Sequence, residues 1–184
     1  MTGTMTACPS GIPAESVTII RSEPVNLGHG WVKFDYAKAF GVPVRMLNDA
    51  AMQAIGSYRG GKMLFLGLGT GLGSALIVNG QLLAMELGHL TYKTATYEDY
   101  LGLRGLKRLG ITAWRKCFRE VVIRFIRALD LDDVVIGGGN VSKLDTLPPG
   151  CRAGDNALAF EGGFLLWKKG PAKSGRSAHG RRRP

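Results

Sequence analysis

Two stretches of this chain bring together residue types that can do chemistry. Residues 63–84 read MLFLGLGTGLGSALIVNGQLLA, with the glycine loop Gly69-Thr70-Gly71 between two apolar runs and an Asn79-Gly80 turn after the second. Glycines at 67, 69, 71 and 73 remove Cβ atoms that would hold a backbone away from an anion, and Thr70 adds a hydroxyl beside free N–H groups. The pattern predicts a β-hairpin built around a phosphate-sized loop. Upstream, Asn48-Asp49 falls where an apolar strand over residues 42–47 gives way to a helix over 50–58. Polar groups at the carboxyl end of a strand are well placed to meet a ligand.

Other glycine-loop chemistries do not fit. A dinucleotide fingerprint needs G-x-G-x-x-G leading into a helix, but counting from Gly67 or Gly69 the sixth position is Leu72 or Ser74, and the residues that follow are strand-like. A P-loop ends in Lys followed by Ser or Thr, and here Gly73 is followed by Ser74 and Ala75.

The elements that must position these groups can be read along the chain. Residues 17–20 suit a short strand, 25–31 a glycine-rich loop and 35–40 a short helix, and Pro43 belongs near the start of the strand over 42–47. After the hairpin come Glu86-Leu87-Gly88-His89 and a helix over about 97–109. Trp114, Phe118, Val121, Val122, Phe125, Ile126 and Leu129 recur at steps of three and four, so residues 112–129 form an amphipathic helix with Thr112 as its cap. That aromatic stripe is core. Residues 133–136 are a buried strand, 137–140 a tight turn, and 155–167 a last helix weakened by Gly162 and Gly163. Helices alternating with strands and a hairpin indicate an α/β lobe.

Composition narrows the class. At 184 residues, 45% hydrophobic and 21% charged, the chain suits one domain or one lobe of a larger protein. No apolar stretch reaches the ~20 residues of a membrane helix. The formal charge of +10 resembles a nucleic-acid signature until it is located. Residues 168–184 hold seven Lys or Arg and no acid, leaving +3 elsewhere, so the excess reads as a solvated, disordered tail and nucleic-acid binding is disfavoured. Cys8, Cys117 and Cys151 lack the spacing of a disulfide framework or structural zinc site. The threonine- and proline-containing start has neither the basic nor the long apolar region of a secretion signal, and a reducing cytoplasm fits these features.

Taken in order, Asn48-Asp49-Ala50, the Gly67–Gly73 loop, Glu86-Leu87-Gly88-His89 and Val135-Ile136-Gly137-Gly138-Gly139 resemble the ROK family of sugar kinases, and more narrowly its polyphosphate glucokinase branch. The resemblance covers about residues 24–167. It implies an α/β, actin-like or hexokinase-like ATPase fold (ribonuclease H-like), with one lobe mostly present and the N-terminal lobe truncated. The implied division is residues 1–22 unassigned and loose, 23–167 a kinase lobe, and 168–184 the basic tail.

The resemblance further implies that Asp49 is the general base for the 6-hydroxyl of glucose or a similar hexose, with Asn26, Asn48, Glu86 and His89 holding sugar hydroxyls. Gly69, Thr70 and Gly71 would cradle the phosphates of ATP or polyphosphate, and Gly137, Gly138 and Gly139 would let the backbone approach a nucleotide. Mg²⁺ would accompany the donor, no zinc is expected because residues 90–116 contain no Cys, and homodimers are usual among members. On residue types alone a second reading of each motif stays open: Asn48-Asp49 as a helix cap, Glu86 and His89 as a surface pair, and the three glycines as an unliganded turn.

The sequence departs from the family at its start, where members carry a D-x-G-[GT]-T phosphate loop. Before Asp49 the only Asp is Asp35, followed by Tyr36-Ala37-Lys38. Two functions therefore stand side by side: a glucokinase-type transferase, or a catalytically impaired relative acting as a sugar-binding or regulatory remnant.

Overall fold

The computed structural model describes residues 34–168 and the backbone of residues 3–7. Asn26, the 17–20 strand, the 25–31 loop and the tail from residue 169 lie outside the described residues.

A five-stranded sheet organises the molecule. In chain order its strands are β3 (Lys62–Leu68), β4 (Leu72–Val78), β5 (Gln81–Met85), β8 (Asp133–Gly137) and β9 (Cys151–Ala153), and across the sheet they run β5-β4-β3-β8-β9. β3, β4 and β5 form an antiparallel meander, whereas β3, β8 and β9 are parallel. The hairpin read from the sequence is present in the register Lys62↔Val78 to Leu68↔Leu72. Asn79 and Gly80 both take positive φ at the β4–β5 turn, as a tight two-residue connection requires.

Side-chain alternation divides the core into two layers. Leu64, Leu66, Val134 and Ile136 point to one face, where Trp114, Phe118, Val121, Val122 and Phe125 cover them. Met63, Phe65, Ala75 and Val135 point to the other, against Ala51, Met52, Ala54 and Leu166. The first cover is made by α3 (Tyr97–Leu101) and α4 (Leu103–Leu129), the second by α2 (Asp49–Ser57) and α5 (Leu158–Lys168). The aromatic stripe of residues 112–129 is thus core. Gly110 (φ +75°, ψ 163°) is non-helical and kinks α4 in the gap between the two helices read from the sequence, with Thr112 inside the second piece rather than capping it, and Gly102 separates α3 from α4, so the helix read over 97–109 is two pieces.

The remaining elements are short, among them β6 (Thr91–Tyr92) and β7 (Ala95–Thr96), which pair with each other. Asp35 caps α1 (Tyr36–Phe40) by accepting from the Lys38 N–H, and α5 starts at Leu158 because residues 155–157 form a turn in which Asp155 accepts from Ala157 N. That helix extends one residue into the segment assigned to the tail. Within the stretch read as loose, β1 (Gly3–Ala7) pairs antiparallel with β2 (Val44–Asn48), where alternating threonines find a strand edge that local sequence does not reveal. Among the described residues no helix is long and apolar enough to cross a membrane.

Candidate active site

Because β3 and β8 are parallel neighbours, their carboxyl ends deliver residues 69–71 and 138–140 side by side. Asn140, 8% exposed, joins them: its N–H donates to the Leu68 carbonyl at 3.0 Å and its Nδ2 to the Gly69 carbonyl at 3.1 Å. On the other side Leu103 N, at the start of α4, donates to the carbonyls of Gly69 and Thr70 at 3.1 Å each. With these carbonyls turned away, the N–H groups of Thr70 and Gly71 have no hydrogen-bond partner among the described residues, while Gly69 N is held by the carbonyls of Gly67 and Gly71. A loop in this state can donate to an anion.

Asp49 arrives from the opposite wall. β2 ends at Asn48, whose side-chain oxygen caps α2 by accepting from Ala51 N at 2.7 Å. Asp49 is the first residue of that helix and one of its carboxylate oxygens accepts from Ala50 N at 2.9 Å, while the other has no partner among the described residues.

Asp49, Gly69, Thr70, Gly71, Gly138 and Gly139 line one cleft of about 450 Å³, together with Gln53, Phe65 and Asn156. Asn48, Glu86, His89 and Gly137 are not part of this lining. Gly137 lies within β8, where a Cβ would stand 2.5 Å from the Phe65 ring, so its smallness serves packing beneath the cleft. Glu86 and His89 are exposed at a 3-10 turn (Leu87–His89) fastened to β4: Ser74 Oγ donates to the Met85 carbonyl at 2.8 Å and accepts from Leu87 N at 3.0 Å. Asn48 is committed to its cap through the oxygen, which leaves its amide nitrogen for a ligand.

Two polar residues that line this cleft, Gln53 and Asn156, and a third that ties its loops together, Asn140, carry no role in the sequence reading. Gln53 lies one turn after Asp49, a spacing that puts both on the same face of a helix, and its Oε1 is buried without a partner. Asn140 follows directly on the three glycines. Asn156 comes from the turn before α5 and carries no sequence signal.

Known proteins resemble the chain in both sequence and fold. No family model matches the sequence. A polyphosphate glucokinase of Mycobacterium leprae (strain TN) is 34% identical over 116 residues, which is 58% of this chain and 36% of that protein. The solved structure of an inorganic polyphosphate/ATP-glucomannokinase from Arthrobacter sp. strain KM superposes with a TM-score of 0.62 at 22% identity, over 72% of this chain and 59% of that one. A ROK family glucokinase from Streptomyces griseus, solved in complex with glucose and AMPPNP, gives 0.54 at 18% identity over 71% of this chain and 70% of that one. The chain therefore spans little more than a third of the curated relative and three-fifths of the first of these structures. In sequence the chain is similar to part of a polyphosphate glucokinase, and in fold it shares the α/β architecture of the ROK sugar kinases.

Proposed function

We infer that the chain serves glucose phosphorylation, with Asp49 taking the proton of the sugar 6-hydroxyl as that oxygen attacks the terminal phosphate of ATP or polyphosphate. The observation that carries this reading is the single cleft in which the Asp49 carboxylate faces two backbone loops able to donate to phosphate. A carboxylate within reach of a reacting hydroxyl contributes ~10²–10⁴ in rate, and aligned N–H groups stabilise the charge on the phosphoryl oxygens. The family resemblance assigns Glu86, His89 and the Asn48 amide, which lie outside the cleft lining, to sugar hydroxyls, and Thr70, Gly71, Gly138 and Gly139, which line it, to the donor.

Among the described residues no three His, Cys, Asp or Glu side chains gather as a metal cage. Mg²⁺ is ordinarily held by substrate phosphates and one or two carboxylates, and Asp49 is the carboxylate lining this cleft, so the residues fit a donor that brings its own cation. Bound that way, Mg²⁺ would neutralise phosphate charge.

A second reading, sugar binding without turnover, is favoured by one feature: these 184 residues contain no D-x-G-[GT]-T loop, and phosphoryl transfer depends on donors from both walls of a closed cleft. An assay with glucose, Mg²⁺ and either donor separates the two. Alone, the chain is expected to turn over far below the ~10 s⁻¹ of a typical enzyme. Joined to the N-terminal part of the Mycobacterium leprae relative it should phosphorylate glucose, and Asp49→Asn should then cut turnover about 10²-fold or more, with sugar affinity little changed. Equal turnover by Asp49→Asn removes Asp49 from the mechanism.

A further inference from the structure

The modest net charge outside the tail hides a strongly polarised molecule. α4 carries eight Lys or Arg against one acid, Glu120. Its apolar positions are buried against the sheet, which drives the cations to the outer face. There Lys107, Lys116, Arg119 and Arg127 are exposed and make no ion pair among the described residues.

Two connections join this face to the cleft. α4 begins at the phosphate loop, through the bonds from Leu103 N to the carbonyls of Gly69 and Thr70. The strand that supplies Gly138 and Gly139 continues into a 3-10 turn (Val141–Lys143), and the Lys143 carbonyl accepts from Arg115 Nε at 2.8 Å. At the second of these, Thr112, Arg115, Lys116 and Arg119 line a shallow depression of about 240 Å³ in which Asp145 is the acid.

Resting on the kinase reading above, we propose that the outer face of α4 is a docking track for an inorganic polyphosphate chain whose end enters the cleft. The ligand class follows from what the face holds and what it lacks. Single-stranded nucleic acid draws affinity from stacking on exposed aromatics as well as from charge. On α4 the aromatic rings Trp114, Phe118 and Phe125 are buried, and among its described residues the large exposed apolar side chain is Ile111. Cations without a stacking platform suit a polymer of phosphates without bases. A nucleotide's three phosphates are accommodated by the cleft loops, so the track distinguishes polymeric donors from ATP.

The test is direct binding by the full 184-residue chain, measured over a range of salt, to long-chain polyphosphate, tripolyphosphate, ATP and a single-stranded RNA of matched charge. Long-chain polyphosphate should bind at least tenfold more tightly than tripolyphosphate. Combined Lys107→Gln, Lys116→Gln and Arg119→Gln should weaken it about tenfold and flatten its salt dependence by about two units of log–log slope, leaving ATP binding unchanged. Lys116→Glu alone, at an exposed position without an ion pair, should act in the same direction and serves if the triple variant melts early. Equal binding of RNA would make this a nucleic-acid surface, and loss that follows deletion of residues 169–184 rather than the α4 substitutions would assign it to the tail. Either result overturns the track. Polyphosphate binding that obeys these expectations, with no glucose phosphorylation even after the chain is joined to the N-terminal part of the Mycobacterium leprae relative, would count against the kinase reading and leave the track standing.

Discussion

At Gly138 the backbone takes φ +88°, and a Cβ there would lie 2.6 Å from the Leu68 carbonyl oxygen. Both the left-handed conformation and the close approach to β3 demand glycine, because the loop after β8 must lie flat against the loop after β3. Gly138→Ala is expected to cost about 1–3 kcal/mol and to lower the thermal midpoint together with phosphate binding. An unchanged midpoint would mean that the loops are not coupled. Cys151 offers a pH-dependent check on the same sheet. Burial, with Asp133 nearby as a lesser cause, pushes its thiol up to about 11. The protonated form is therefore the favoured one, so alkylation should be slow near pH ~8, where an ordinary thiol reacts readily, and should accelerate as pH rises toward that value. Site-resolved mass spectrometry of iodoacetamide-treated protein measures this, and fast labelling near neutrality would contradict the burial.

Among the elements, the crossing of α2 and α5 turns on two glycines. A Cβ at Gly56 would stand 1.9 Å from the Leu158 carbonyl oxygen, and one at Gly162 would stand 1.9 Å from that of Met52. Helix propensity alone says that Gly162→Ala stabilises by about 1 kcal/mol. Packing says the opposite, since backbone atoms cannot move aside as a flexible side chain can, and the expected net effect is a loss of about 2 kcal/mol in a denaturant melt. The contrast shows what was legible in the sequence. The Gly69–Gly71 hairpin and the 112–129 helix could be read because their signals are local: alternation and turn residues in one, a three-and-four repeat in the other. Gly162 was misread as weakness because its reason lies on another helix. β1 was missed for a related cause, since its partner β2 lies some forty residues away in sequence, whereas β9, at three residues, is too short to show an alternation. The same holds for the site, where the two loops were legible as separate glycine motifs while their tie through Asn140 is a product of parallel strand pairing.

On the scale of the whole molecule, the described residues build a cleft with the Asp49 carboxylate at one side and two glycine loops at the other, on the α/β fold shared with the ROK sugar kinases. The Asn48 cap and the Ser74 hydrogen bonds show that the motifs proposed to hold sugar are also structural, so mutation alone would confound binding with folding. Ligand-induced shifts of backbone amides avoid that difficulty. In the ¹⁵N-labelled 184-residue chain, magnesium-loaded ATP or tripolyphosphate should move the amides of Thr70, Gly71, Gly138 and Gly139, and glucose should move those of Asp49, Glu86 and His89. Saturating donor and sugar that leave those amides unmoved, or that shift a different region, would contradict the assignment of this cleft.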